Sequence, residues 1–155
     1  MISDRERREL RDFQREMSSA WTWQQEFSGT PDQLRHLRAG LRTFLDGCPA
    51  TDDAALLLTE LAANAIAFSA SGRPGGTFTV RLRHVPGDHI RAEVQDAGSD
   101  WHGDIARSAS HPHRLYLLLA LAAACGTDGS DRSRIVWFRL DEPADPACGG
   151  RRGLR

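Results

Sequence analysis

The feature that most constrains the fold is a strongly apolar segment over 51–68, which is long enough for about five turns of helix. In a helix of about 3.6 residues per turn, the apolar side chains of this segment cover a broad face rather than a narrow stripe. Such a helix has to be covered by the rest of the chain, so we expect it at the centre of the fold. The face consists of Leu56, Leu57, Leu58, Leu61, Ala65 and Ile66.

Apolar and polar residues alternate on both sides of this helix, which is typical of half-buried strands. Side chains that cap helices are expected in 28–32 and 51–53, and Pro112 suits the start of a later helix that Gly126 would end. The order predicts an α/β protein of the α+β two-layer type, with helices on one face of a mixed, mainly antiparallel sheet. Strands are predicted over 23–27, 78–82, 90–94 and 134–140, and further helices over 32–46 and 113–125.

The first 22 residues have the pattern of an amphipathic helix. Ser3 and Glu6 have the spacing of a capping box, and apolar residues then recur at helical intervals. The apolar stripe would pack on the protein's own body, or else form a surface for a partner. Its members are Leu10, Phe13, Met17 and Trp21.

Length and composition set the domain organisation. A chain of 155 residues that is 40% hydrophobic can bury one compact core. We therefore expect the N-terminal helix over 1–22, one domain over 23–141, and a disordered tail over 142–155 that is rich in proline, glycine and arginine.

Charge and residue usage exclude several classes of function. The formal net charge of -1 gives no basic field for direct binding of nucleic acid. All 20 positive residues are arginine, so a phosphate-binding loop with its lysine is absent. The longest apolar stretch, over 115–125, is too short to cross a bilayer, and we expect a cytoplasmic protein without membrane contact.

The three cysteines, and three histidines in or next to a polar loop, are candidates for metal chemistry. The three cysteines lie far apart without a CxxC spacing, which argues against a zinc cluster or disulfides and favours reduced thiols. The loop histidines could bind a metal or respond to pH, although solvated side chains are the commoner outcome in a polar loop. These residues are Cys48, Cys125 and Cys148, and His102, His111 and His113.

Three polar residues could carry chemistry. Glu60 and Asn64 lie four residues apart on the central helix and so project from one face, where they could share Mg²⁺ or a water. They could equally form the solvent edge of the helix. Asp96 ends a predicted strand, where its carboxylate could accept the amino group of adenine, or simply start a turn.

Two segments containing these residues resemble the motifs of a known family. The segment 60–69, ELAANAIAFS, resembles the N-box of GHKL ATP-binding proteins, and 94–98, VQDAG, resembles their first glycine box. The linking segment 69–78 and the closing 136–138 are similar to the actinobacterial branch of anti-sigma regulatory factors and serine-protein kinases. The resemblance covers 23–141 and implies a Bergerat-type ATP-binding fold.

The resemblance also implies roles for individual residues. Glu60 would be the catalytic base, Asn64 would bind Mg²⁺, Asp96 would bind the adenine amino group and Gly98 would make room for the base. The segment 99–111 would form the ATP lid, where Trp101 could cover the adenine edge or else close the core. The following helix would direct its positive end at phosphate, with His113, Arg114 and Leu115 in its first turn.

The same resemblance implies ATP and Mg²⁺ as cofactors and a protein as partner. The protein would bind a sigma factor, or phosphorylate an anti-anti-sigma protein of the STAS type on serine or threonine, and a homodimer is possible. Departures from the motifs keep a second hypothesis open, that of a catalytically weakened interaction module. Pro112 and Arg114 stand where the family has glycines, Asp100 replaces another glycine, and Phe68 replaces a common histidine. An unrelated α/β binding protein is the third alternative.

Overall fold

The structure is a computed structural model that describes residues 2–98, 118 and 120–142. A short 3-10 turn, Ala70–Gly72, follows the third helix, and residues 118, 120 and 121 are helical. The helices are α1 (Asp4–Ser19), α2 (Gln33–Phe44) and α3 (Thr51–Phe68), and the strands are β1 (Trp21–Ser28), β2 (Thr77–Val85), β3 (His89–Asp96), β4 (Ala124–Ser130) and β5 (Ser133–Asp141).

The strands form one five-stranded sheet in the order β1-β2-β3-β5-β4. Each pairing in the described part of the chain is antiparallel. Helices α2 and α3 pack together on one face of the sheet, and the core lies between the two layers. The predicted α+β two-layer fold is therefore confirmed.

Helix α3 is the central helix that the sequence predicts. It buries Ala54, Leu57, Leu58, Leu61 and Ala65, because residues at these spacings share the face that meets β2 and β3. The sheet contributes Phe78, Val80, Leu82, Ile90, Ala92, Val94, Phe138 and Leu140 to the same core.

The opposite face of the sheet is polar and charged. Arg81 and Arg91 both reach the carboxylate of Glu93, at 3.3 and 2.8 Å, and the Arg91 guanidinium lies over the Trp137 ring at 4.9 Å from its centroid. Because antiparallel strands alternate their side chains, these residues lie opposite the buried row of the same strands.

The predicted side-chain caps of α2 and α3 are wrong. The N-cap residues are Asp32 and Ala50, and neither makes a side-chain bond to the helix start. Thr51 lies inside α3, and its hydroxyl reaches back to the carbonyl oxygens of Leu45 and Cys48 at 2.9 and 2.7 Å. The hydroxyl thus closes the loop between the two helices.

Helix α1 has the predicted capping box. The Glu6 N–H donates to Ser3 Oγ at 3.2 Å, and the Ser3 N–H donates to Glu6 Oε2 at 2.7 Å. The expectation that the apolar stripe packs on the body is not met by its described side chains. Leu10 and Phe13 are 49% and 59% exposed, and Trp21 beyond the helix is exposed too.

The chain after the lid segment differs from the prediction. The predicted helix over 113–125 does not reach its stop at Gly126, because β4 already begins at Ala124. Gly126 lies within that strand, and a Cβ there would be 2.9 Å from the Trp137 indole nitrogen. Glycine in this position reflects close approach of a ring rather than the end of a helix.

The ordered chain also continues past the predicted start of the tail. Glu142 lies within the fold, with its N–H bonded to the Asp88 carbonyl at 2.9 Å. Residues 143–155 lie outside the described residues. None of the described helices combines the length and the apolar character needed to span a bilayer.

Candidate functional site

Glu60 and Asn64 lie on one face of α3, as their spacing predicts. Both side chains are half-buried, whereas Asp52 and Asp53 at the start of the helix are exposed. The two residues therefore do not form a freely solvated edge. They present a carboxylate and a carboxamide at the border of the core.

The turn that follows α3 is hydrogen-bonded to the two residues that follow β3. The Ala70 N–H donates to the Gly98 carbonyl at 2.8 Å, and the Ala97 N–H donates to Ser71 Oγ at 2.9 Å. Ser71 is fully buried, and its N–H donates to Ser69 Oγ at 3.1 Å. These bonds fix the helix that carries Glu60 and Asn64 relative to the strand that carries Asp96.

Asp96 ends β3 and is one of two buried polar residues among those described. Its Oδ1 accepts the Gly98 N–H at 2.8 Å, and its Oδ2 accepts from Arg134 Nη2 at 3.0 Å. The Asp96 and Arg134 side chains are only 3% and 13% exposed. The carboxylate assigned to adenine is thus already in a buried ion pair.

Gly98 is required by the packing of the chain itself. Its φ is +74°, and a Cβ there would lie 2.0 Å from the Asp131 carbonyl oxygen in the turn between β4 and β5. Any larger residue would meet strain and a backbone clash together. Whether this glycine also makes room for adenine stays a prediction.

The donor set fits the predicted ligands in its chemistry. A carboxylate oxygen has two lone pairs, so Asp96 can accept a further donor such as an amino group. Asn64 and Glu60 supply the hard oxygens that Mg²⁺ prefers. The residues predicted to cover adenine or to face phosphate lie outside the described residues, as does the rest of the predicted lid: Trp101, Pro112, His113, Arg114 and Leu115.

Sequence reasoning missed two residues of this site, Ser71 and Arg134. Ser71 belongs to a turn-rich segment whose pattern indicates only a chain reversal. Arg134 begins β5, and the sheet register places it opposite Asp96. The contact of Arg134 with Asp96 could have been predicted only from the pairing of β3 with β5, which are far apart in sequence.

The fold is similar to two solved structures. One contains the RsbU and RsbW domains of Rv1364c from Mycobacterium tuberculosis, with a TM-score of 0.60 and 18% identity over 80% of this chain. The chain spans about a third of that protein's length, 33%. The other is the SiaB-SiaC complex from Pseudomonas aeruginosa, with a TM-score of 0.53 and 11% identity over 86% of this chain and 96% of the other.

No protein-family model matches the sequence, and no curated protein matches it. The two structural similarities confirm the α+β two-layer fold that the motif resemblance implies.

Proposed function

We propose that the protein is a cytoplasmic, ATP-binding regulator of the anti-sigma type, which acts on a protein partner as a serine/threonine kinase. The observation that carries the proposal is the bonded junction between the ends of α3 and β3. Through Ala70–Gly98 and Ser71–Ala97, it holds the two segments that resemble the N-box and the first glycine box in one fixed arrangement.

Three polar residues of these two segments have a role in the proposed function. Asp96 would accept the adenine amino group, and Asn64 would hold Mg²⁺ through its amide oxygen. Glu60 would orient the partner's hydroxyl and accept its proton. Bound ATP would supply the phosphoryl group.

The partner is proposed to be a sigma factor or a STAS-type anti-anti-sigma protein. The support is the similarity to a structure that contains RsbU and RsbW domains, together with the similarity to a structure that was solved as a complex of two proteins, SiaB and SiaC. Both agree with the motif resemblance to anti-sigma regulators. The identity of the partner is the more specific part of the proposal.

A non-catalytic interaction module is the second candidate. It is favoured by the Asp96–Arg134 ion pair and by the close contact of Gly98 with the Asp131 backbone. These contacts pair the Asp96 carboxylate and pack Gly98 with groups of the same chain, so the fold does not depend on a nucleotide there. In this candidate the surface of the domain would bind the partner without phosphoryl transfer.

Calorimetric titration with Mg·ATP and phosphotransfer to purified candidate partners test the two candidates. We expect ATP binding by the wild type, with phosphotransfer lost in Glu60→Gln while ATP affinity stays within about twofold, since the base acts on the partner's hydroxyl. Asp53→Asn, an exposed change on the same helix, is the matched control. ATP binding without transfer to any partner would favour the interaction module, and absence of ATP binding would refute the kinase.

A further inference from the structure

A second group of chemically reactive side chains lies where three distant segments meet. Cys48 is in the loop between α2 and α3, His84 is near the end of β2, and Glu142 directly follows β5. Cys48 Sγ donates to Glu142 Oε1 at 2.7 Å, and His84 Nε2 lies 2.5 Å from the same oxygen. One sulfur, one nitrogen and one oxygen are all within 4.8 Å of one another.

This cluster is at the opposite end of the sheet from the candidate ATP site. Along the β3–β5 pairing, Asp96 lies opposite Arg134 at one end, and His89 lies opposite Asp141 at the other. Glu142 continues from Asp141, so the cluster shares no residue with the nucleotide site. Neither the proposed kinase nor its alternative uses it.

The three donors are held by the fold independently of any ligand. The Gly87 N–H donates to Glu142 Oε2 at 2.8 Å, which leaves Oε1 directed at Cys48 and His84. The Glu142 side chain is only 4% exposed and that of His84 13%. The Cys48 carbonyl accepts the Thr51 hydroxyl at 2.7 Å, which fixes the cysteine in its loop.

We propose that Cys48, His84 and Glu142 form a binding site for Zn²⁺. Sulfur, imidazole nitrogen and carboxylate oxygen are the three ligand types of zinc, and three protein ligands with water in the fourth position are a common arrangement. Zinc ligands in a tetrahedron lie about 3.3 to 3.8 Å apart for metal–ligand bonds of about 2.0 to 2.3 Å. The distances from Cys48 Sγ and His84 Nε2 to Glu142 Oε1 need to increase by only about 1 Å to admit the ion.

Binding is balanced in charge and protons. The thiol proton of Cys48 leaves to solvent as the sulfur binds Zn²⁺, and His84 binds through neutral Nε2. Thiolate and carboxylate together then neutralise the double charge of the ion. The Gly87 N–H on Oε2 acts as the outer hydrogen bond that orients a ligating carboxylate.

The bound ion would connect the loop between α2 and α3 to the end of β5. Cys48 and Glu142 are 94 residues apart in sequence, so a metal bridge would restrict the unfolded chain strongly. Zinc would therefore stabilise the folded state without touching the nucleotide site.

Titration of the chelator-treated full chain with Co²⁺, followed by displacement with Zn²⁺, tests the site. The Cys125→Ser/Cys148→Ser double variant leaves Cys48 as the only thiol. We expect this variant to bind one Co²⁺ per chain, with a thiolate-to-metal charge-transfer band that Zn²⁺ abolishes. Cys48→Ser should lose the band, and His84→Gln and Glu142→Gln should each weaken Zn²⁺ binding at least tenfold. Zn²⁺ should raise the unfolding temperature of the wild type.

The matched control is His36→Gln, because His36 is an exposed histidine on α2. It should leave Zn²⁺ affinity unchanged. Absence of the charge-transfer band in the double variant would overturn the proposal, even if Cys48→Ser proved unable to fold. Equal losses in His36→Gln and His84→Gln would also overturn it, since they would indicate adventitious binding by scattered histidines.

Discussion

Arg134 Nη2 donates to Asp96 Oδ2 at 3.0 Å, across the register pair that joins the end of β3 to the start of β5. Both side chains are largely removed from solvent. The carboxylate that the sequence assigns to adenine is therefore also part of the sheet's own structure. A variant of Asp96 tests stability and ligand binding at once, and the two effects have to be measured separately.

Asp96→Ala should lower the free energy of unfolding by about 3 to 5 kcal/mol, because removal of one partner leaves the other charge of a buried pair uncompensated. Urea denaturation measures this loss. Asp141→Ala is the control, since its ion pair with Arg139 is exposed and should change stability by less than about 0.5 kcal/mol. A loss below about 1 kcal/mol for Asp96→Ala would show that the pair does not hold the sheet ends together.

Asn64→Ala should reduce the Mg²⁺ dependence of ATP binding, because Mg²⁺ is held by few protein oxygens and the variant lacks one. ATP titrations with and without Mg²⁺ provide the comparison. Asn64→Asp keeps an oxygen at the same place and should restore the dependence. If Mg²⁺ changed ATP affinity by the same factor in wild type and Asn64→Ala, the proposed metal role would be wrong.

Ser71→Ala should destabilise the domain by about 0.5 to 1.5 kcal/mol, because the Ala97 N–H would lose the acceptor that the buried Ser71 hydroxyl supplies. It should also weaken ATP binding, since one of the two hydrogen bonds that hold the chain after α3 to the chain after β3 would be lost. Chemical denaturation and ATP titration measure the two effects. Ser28→Ala, an exposed serine, should be neutral. Equal stability of the two variants would contradict the structural role of the buried hydroxyl.

Burial and the hydrogen bond to the Glu142 carboxylate raise the pKa of the Cys48 thiol from its ordinary 9.0 to about 12. In the metal-free protein the Cys48 thiol ionises at lower pH in the unfolded chain than in the folded one. The stability that the folded state gains from the protonated thiol is therefore complete below pH 9 and is lost as the pH rises towards 12. Cys48→Ala should therefore lose less stability than wild type over that range. Unfolding measured against pH tests this, with Cys125→Ala as control. If the free energy of unfolding changed with pH in the same way for wild type and Cys48→Ala, the raised pKa of the Cys48 thiol would be excluded.

Pro112→Gly combined with Arg114→Gly supplies the two glycines that the similar family has at these positions. The change supplies an N–H that proline lacks and removes a bulky side chain, so we expect tighter Mg·ATP binding. Phosphotransfer should rise only while Glu60 is intact. A folded double variant that binds ATP more weakly would show that Pro112 and Arg114 themselves form the phosphate site.

The sequence predicted the parts of the fold that depend on local periodicity. The alternation in 78–82 and 90–94 identified β2 and β3, and the broad apolar face identified α3. Spacing alone also placed Glu60 and Asn64 on one face. In contrast, β4 was missed, because its residues ACGTDGS show no alternation and include a single β-branched residue, Thr127, beside two glycines.

The contacts that the sequence could not predict depend on register between distant segments. Arg134 meets Asp96 only through the β3–β5 pairing, and Ser71 meets Ala97 only through the turn after α3. The spacing of the three cysteines along the chain indicates no metal cluster. Cys48 instead meets a histidine and a glutamate from other elements, and no local motif encodes that meeting.

The exposure of Leu10 and Phe13 has a consequence for the dynamics of α1. A helix of 16 residues is marginally stable in water by its own hydrogen bonds, and these two side chains give it little burial. Its amide protons should therefore exchange with solvent through local opening, while those of α3 exchange only when the core itself opens. The N-terminal segment would thus fray and re-form many times within the lifetime of one folded sheet.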